Sequence, residues 1–271
     1  MVRRKTEPPR GVLRTGVAQD GPYRHERYHP SADLEPWVEH YWTVEWDLRG
    51  SAPQRVETLP HPSVHLIFEA DRKSRIAGPS RARFSRLLEG KGGVFAAKFK
   101  PAGFHAFVGI PISRFADKTI LFREVFGPAG EELERAVLSR ELDAERITLV
   151  EDFLRSRGPE RDEDADRVSE MVYRVAGEAE IHRVEHLAAR FGLNTRTLQR
   201  LFSKYVGVSP KWVIQRYRLH EAAERLAAGK SIDQAELALD LGYTDQAHFV
   251  RDFKSIVGVS PAAYARAARQ G

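Results

Sequence analysis

Val184-Glu-His-Leu-Ala-Ala-Arg-Phe-Gly192, followed by Leu198, Phe202 and Val206-Gly-Val-Ser-Pro210, comes back further along the chain as Leu237-Ala-Leu-Asp-Leu-Gly242, Phe249, Phe253 and Val257-Gly-Val-Ser-Pro261. The offset is 50 between Gly192 and Gly242 and 51 between Phe202 and Phe253, so the second copy carries one extra residue after its glycine. Each copy reads as an apolar helix, a glycine turn and a second helix, which is the helix-turn-helix pattern. Two such units in tandem imply contact with two neighbouring stretches of duplex DNA.

In the first unit the pattern predicts a positioning helix over 184–191, Gly192 in the turn, and a second helix over 195–205 with Asn194 as its N-cap. Leu198, Leu201, Phe202 and Tyr205 then share the inward face, while Arg196, Gln199 and Arg200 share the outward one at i, i+3 and i+4. Arginine forks onto the acceptors of guanine and glutamine onto adenine, so this face has the chemistry of major-groove readout. Taken alone it fits a solvated helix face equally well; the repeat favours readout. In the second unit Ser231-Ile-Asp-Gln234 reads as a capping box, and a helix over 245–256 buries Phe249 and Phe253 and turns Gln246, His248, Val250 and Arg251 outward. Arg251 aligns with Arg200 in the repeat, whereas His248 fits a neutral surface residue as well as a base reader. Thr195, Lys204 and Lys254 complete the expected DNA-contacting set, with Lys204 assigned to phosphate. Between the units Ser209 can cap a helix that has Pro210 at its first position and runs to Ala228, about 28 Å of rod. That length suits two recognition helices near the ~34 Å repeat of the major groove. A last helical pattern covers 262–269.

The rest of the chain bounds the answer. It has 271 residues, 42% hydrophobic and 30% charged, enough for two globular domains. There are no cysteines, which excludes disulfides, thiolate metal sites and a cysteine nucleophile. No apolar run of about 18 residues is present and the N-terminus lacks a signal-peptide core, so the expected location is the cytoplasm, without membrane contact. The formal net charge is +5 but unevenly spread: 181–271 holds 14 Lys+Arg against 8 Asp+Glu, and 131–170 holds 7 against 14. Such local footprints suit a nucleic-acid partner at the C-terminal end.

Residues 1–20 read as a flexible arm, 21–157 as an N-terminal domain, 158–166 as a linker and 167–271 as the DNA-binding domain. Strand patterns at 40–46, 63–68 and 94–99, bounded by Pro and Gly clusters, predict a small β-sandwich or barrel. Helical spacing follows in Leu133, Val137 and Leu138 and in Ile147, Val150, Phe153 and Leu154; this helix pair suits either a dimer interface or packing on the β-domain. The fold class is therefore α+β, with an all-α tandem helix-turn-helix on a long connecting helix. Trp37, Trp42, Trp46, Phe68, Phe95 and Phe99 can line an apolar effector pocket, with His65 and Lys98 holding an anionic group, or they can simply fill the β-core. His40, His61, His65 and His105 lack the close ligand spacing of a metal site. No nucleophile elbow, phosphate loop or carboxylate pair accompanies them, so neither enzyme activity nor a cofactor is expected. An enzymatic N-terminal domain stands as the alternative.

Gly242-Tyr-Thr-Asp-Gln-Ala-His-Phe-Val-Arg-Asp-Phe253 with Gly258-Val-Ser-Pro261 and Tyr264 resembles the C-terminal signature of the AraC/XylS family of bacterial transcription regulators. Leu198-Gln-Arg-Leu-Phe202 and Gly207-Val-Ser-Pro210 match its first unit. The resemblance implies base reading at Arg196, Gln199 and Arg200 and at Gln246, Ala247, His248, Val250 and Arg251; Ala247 departs from a polar reader and offers only apolar contact. It also implies an activator that works with RNA polymerase. Leu34-Glu-Pro-Trp-Val-Glu-His-Tyr-Trp42, Leu59-Pro-His-Pro62 and Phe99-Lys-Pro-Ala-Gly-Phe104 are similar to a little-characterised N-terminal domain of such regulators, which implies effector sensing, homodimerisation or both.

Overall fold

The computed structural model describes Arg4 and residues 12–13, 23–228 and 232–270. Its N-terminal part is built on two antiparallel sheets. Strands β1 (Val12–Leu13), β2 (Tyr23–Tyr28), β3 (Val38–Asp47), β4 (Gln54–Thr58), β5 (His65–Glu69), β6 (Arg75–Ala77), β7 (Phe84–Leu88), β8 (Lys91–Phe99) and β9 (Thr119–Leu121) divide into a sheet ordered β2-β3-β8-β5-β6-β9 and a smaller one ordered β1-β4-β7. Period-two alternation decides what lies on each face of the larger sheet. Trp42, Val44, Trp46, Ile67 and Val94 pack toward the small sheet, against Val56 and Leu88. Tyr41, Phe68, Phe95 and Phe99 point the other way, onto the helical layer.

That layer consists of α1 (His105–Val108), a 3-10 turn at Ile112–Arg114, α2 (Phe122–Phe126), α3 (Pro128–Leu138) and α4 (Asp143–Ser156). Leu133, Val137, Ile147, Val150 and Leu154 are buried in its core, so the helix pair packs on the β-domain. Two buried carboxylates lock α4 to the sheet. Asp143 accepts from Arg24 at 2.7 Å, the Tyr28 hydroxyl at 2.8 Å and the Thr43 hydroxyl at 2.9 Å, and Glu151 accepts from the amide and hydroxyl of Ser31, each at 2.8 Å. The predicted sandwich is thus present, with helices covering its second face.

Three sequence expectations need correction. The apolar pocket does not form: Trp42, Trp46, His65 and Lys98 lie on one face of the sheet and Phe68 and Phe99 on the other, because residues paired across antiparallel strands share a face and the register sets Phe95 opposite Thr43 and Phe68. Phe68 and Phe99 fill the core; Trp46 is buried under the Arg86 guanidinium; Lys98 pairs with Glu39 at 3.1 Å; and the Trp42 indole N–H donates to His65 Nδ1 at 3.3 Å. The arm expected over 1–20 contributes structure where it is described: Val12–Leu13 pairs with β4, and Arg4 bridges to Tyr28 and pairs with Glu26 at 2.8 Å. Its other residues lie outside the described ones. The linker expected over 158–166 is shorter, because the Asp162 carboxylate accepts from the amides of Asp164 and Ala165 and starts helix α5 (Glu163–Gly177) within it.

The N-terminal part packs on the helices that follow. Ala102, in a left-handed conformation at φ 69°, is buried in the core formed by α5 and the first helix-turn-helix, and Leu59 is buried in the core of the second. Gly103 is required beside it, since a Cβ there would collide with the carbonyl of Trp37.

Two outcomes follow. Phe99 is fully buried, so Phe99→Ala should cost about 3–5 kcal/mol in chemical denaturation, far more than an exposed pocket residue would. His65 is lowered to about 3 by burial and by Lys98, and His25 to about 4 by burial and Arg27. The unfolded chain therefore takes up these protons first as pH falls, so this contribution to stability is complete above about 6.5 and is lost progressively toward the folded values. His65→Asn keeps an acceptor for Trp42 without the proton uptake, and should flatten the slope of unfolding free energy between pH 6.5 and 4; an unchanged slope would contradict the assignment.

Candidate nucleic-acid interface

The C-terminal part begins with α5 and continues as α6 (Val184–Arg190), α7 (Thr195–Tyr205), α8 (Pro210–Ala227), α9 (Gln234–Asp240), α10 (Gln246–Val257) and α11 (Pro261–Gln270). In the first unit α6 ends at a turn where Gly192 takes φ 63°, and α7 starts on Asn194, whose side chain accepts from the Thr197 amide at 2.8 Å. Leu198, Leu201, Phe202 and Tyr205 are buried, as their spacing predicts. Arg196, Gln199 and Arg200 stand exposed together, in no hydrogen bond or ion pair with a described residue, and Thr195 is half-buried at the start of the helix. Lys204 differs from the expected phosphate contact. Its ammonium donates to the Tyr205 hydroxyl at 2.7 Å and lies 4.4 Å from that ring, and the same hydroxyl donates to Asp162 at 2.6 Å. Burial acts to raise the pKa of Asp162, but the Tyr205 hydrogen bond, two backbone amides and Lys204 bring it below the ordinary carboxylate value.

The second unit repeats the plan with different details. Its first helix starts at Gln234 rather than on a Ser231 capping box: Asp233 is the cap, accepting from the Ala235 amide at 2.7 Å, and Ser231 lies outside the described residues. The turn glycine Gly242 takes φ 79°. Asp245, expected as the first helical residue, instead caps α10 by accepting from the His248 amide at 2.8 Å, so the helix starts one residue later, at Gln246. Gln246, Ala247, Arg251 and Lys254 are exposed as predicted. Val250 is not turned outward: it is half-buried against the second core, because it shares the helix side of Phe249 and Phe253. His248 is exposed but engaged, with Nε2 3.2 Å from Asp252 and its ring edge-on to Tyr243. Asp252 in turn accepts from Gln215 of α8. The i, i+4 spacing of His248 and Asp252 is a signal the sequence carried; nothing in it indicated Gln215.

Helix α8 sets the geometry between the two units. Ser209 caps it, accepting from the Trp212 amide at 3.2 Å, and its 18 residues make a rod of about 27 Å. Val213 and Ile214 belong to the first core, and Leu219, Ala222, Ala223 and Leu226 to the second. Arg218, fully within the protein, donates to the carbonyls of Val175 and Glu178 and so ties the rod to the end of α5. Two capped helices, each with an exposed Arg and Gln, are thereby carried on one support.

Comparison with known proteins agrees with this layout. Residues 187–267 match a family described as a helix-turn-helix domain, and residues 26–121 match a domain of unknown function, DUF6597. The transcriptional activator NphR of a Rhodococcus species is 33% identical over 104 residues, covering 38% of this chain and 30% of NphR. The activator AarP of Providencia stuartii is 32% identical over 81 residues, covering 30% of this chain and 59% of AarP. The chain thus spans less than two thirds of either relative. Among solved structures, a probable AraC family regulator from Rhodopseudomonas palustris is 26% identical over 36% of this chain and 94% of its own, with a TM-score of 0.33. The DNA-binding domain of AdpA, solved with a target DNA, is 30% identical over 38% and 92%, with a TM-score of 0.33. The C-terminal region is an AraC-type helix-turn-helix domain.

The caps offer a direct check on the local reading. Asn194→Ala and Asp245→Ala should each cost about 1 kcal/mol of stability, with thermal unfolding as the measurement, and the two losses should add in the double variant because the caps share no partner.

Proposed function

We propose that the whole chain is a sequence-specific regulator of transcription that reads two adjacent major-groove segments, one with each recognition helix. The observation that carries this is the exposure of Arg196, Gln199 and Arg200 on α7 and of Gln246 and Arg251 on α10, on two capped helices fixed to one buried rod. Arg200 and Arg251 are the base readers, Lys204 and Lys254 serve phosphates, and Ala247 and the edge of Val250 offer apolar contact. Lys204 must leave Tyr205 to do so. Two relatives described as activators favour activation, and with it contact with RNA polymerase. The chain then works in the cytoplasm; no helix among the described residues is long and apolar enough to cross a membrane.

The N-terminal domain, on this reading, is regulatory and carries no chemistry of its own. A place for a small organic effector is an open groove of about 730 Å³ where the end of β3 meets α3 and α4, with Tyr23, Trp46, Val137 and Leu138 as apolar wall and Arg24 and Arg146 at its rim. Its wall suits an apolar molecule, since Arg24 is committed to Asp143 and Glu45, Arg146 to Asp143, and Glu45 and Asp47 share the rim. Such a ligand, or homodimerisation, shifts DNA occupancy only through differential affinity for two states.

Selection of the full-length protein on random duplexes should yield a preferred site, with affinity falling steeply as salt rises. Arg200→Ala and Arg251→Ala should each cost about 1–3 kcal/mol on that site and relax discrimination there, while Lys204→Ala weakens specific and random DNA alike. Absence of any preferred duplex would remove the proposal.

A further inference from the structure

The repeat gives each unit a Val-Gly-Val-Ser-Pro loop just after its recognition helix, and the N-terminal domain is seated against both loops. At Gly207, with φ 87°, an added Cβ would lie 2.8 Å from the carbonyl oxygen of Ile112. At Gly258, with φ 93°, it would run into the Arg83 guanidinium. Gly192, in the turn on the other side of α7, has open space around it. Between the two loops, the middle of α8 is held as well: Arg216, only 2% exposed, donates from Nε to the carbonyl of Pro60 at 2.5 Å and lies 2.9 Å from His61 Nδ1. Burial together with Lys98 and Arg216 lowers the His61 pKa well below its ordinary value, in keeping with a neutral ring accepting from the guanidinium. The two N-terminal motifs the function left unexplained, at 59–62 and 99–104, are thus placed at this junction: Leu59 enters the second core, Ala102 the first, and the His105 ring packs 4.7 Å from that of Tyr205 at the end of α7.

We infer that the N-terminal domain is a brace that holds both recognition helices by their C-terminal ends, and that Arg83 is the positioning residue for the second. This rests on the reading that α7 and α10 enter DNA. The last carbonyls of a helix lack partners within it, and a cation placed there meets the negative end of the helix dipole. Val257 is the last residue of α10, and its carbonyl accepts from Arg83 Nη1 at 3.0 Å. The same nitrogen donates to Glu57 of β4 at 2.9 Å, and Glu57 is buried, so the guanidinium is anchored in the small sheet rather than reaching over from a free surface. The first recognition helix is held by a different part of the N-terminal domain, around α1 and the turn at Ile112. Movement of the small sheet relative to α1 therefore changes the position of α10 relative to α7, which alters the spacing at which two half-sites are read.

The test uses the full-length chain, its selected duplex, and versions of that duplex with the half-sites moved together or apart by one base pair. The wild type should lose about tenfold in affinity at either altered spacing, and Arg83→Ala should reduce that loss below about threefold while leaving base discrimination in the first half-site unchanged. Arg83→Lys, which can still reach one acceptor, should restore part of the spacing preference, and Glu57→Gln should resemble Arg83→Ala more weakly. Hydrogen exchange without DNA gives a second readout: amides in 246–261 should exchange faster in Arg83→Ala, with those in 195–205 unaffected. An unaltered spacing profile, or loss of discrimination in both half-sites together, would overturn the inference. If the wild type prefers no duplex at all, the DNA reading fails and the exchange experiment alone decides the brace, which falls if 246–261 is unchanged.

Discussion

Burial of α8 along nearly its whole length is the constraint on which the rest depends. Its N-terminal half completes one hydrophobic core and its C-terminal half another, so neither helix-turn-helix unit has a core without it. Midway it carries two buried arginines. A buried charge is tolerated only where hydrogen bonds satisfy it, and removing its partners costs about 3–5 kcal/mol. Arg218 donates to carbonyls at the end of α5 and pairs with Glu221 at 2.7 Å, and Arg216 donates to Pro60 and lies beside His61 of the N-terminal domain. The rod is therefore fixed at its ends by packing and at its middle by charge, on opposite faces of the helix, since two residues of α-helix turn about 200°. Hydrophobic packing alone would leave it free to slide; the two guanidinium forks give it a register.

The acidic excess over 131–170 has a related use. Read as charge alone it suggests a solvated face, yet three of its carboxylates join parts distant in sequence. Asp143 and Glu151 bind α4 to the strands and the loop at Ser31, and Asp162 both caps α5 and accepts from Tyr205 of the first recognition helix. Burial raises the cost of each of these charges, and several convergent donors offset it. The break between the two parts of the chain is consequently short and tied at its end, which favours a fixed rather than a loose relation between the domains.

What was legible in the sequence was what local chemistry decides. Asn194, Ser209 and the glycines at 192 and 242 have roles set within a few residues, so both helix-turn-helix units and the rod between them could be placed nearly to the residue. The second unit shows the limit of such signals: Ser231 and Asp233 are both good caps, and the choice of Asp233 places the helix start two residues later than the Ser-x-x-Gln pattern suggests. The sequence left the aromatic residues of the β-domain open between a pocket and a core because parity within a strand is visible in it while register between strands is not. Trp42 and Trp46 share a face by spacing, but whether Phe68 or Phe99 joins them depends on which residues of β5, β3 and β8 stand opposite one another, and that follows from strand ends and turns. The interdomain contacts were invisible for the same reason: Arg83, Pro60 and Ile112 acquire meaning only against Val257, Arg216 and Gly207.

The two units, though copies in pattern, are not equal readers under the function proposed. On α7 the outward row of Arg196, Gln199 and Arg200 is uncommitted to any described neighbour and carries only hydrogen-bonding side chains. On α10 the equivalent surface is partly spent within the protein: Val250 leans on the core, Ala247 has no polar atom, and His248 is drawn to Asp252, which Gln215 holds from the rod. Gln246 and Arg251 remain for base edges. Fewer free donors mean fewer bidentate contacts, and direct discrimination scales with those contacts. The second unit is also the one whose helix end is gripped by Arg83. The unit with less capacity to find its own place by base contacts thus also has its recognition helix held at its end by the N-terminal domain.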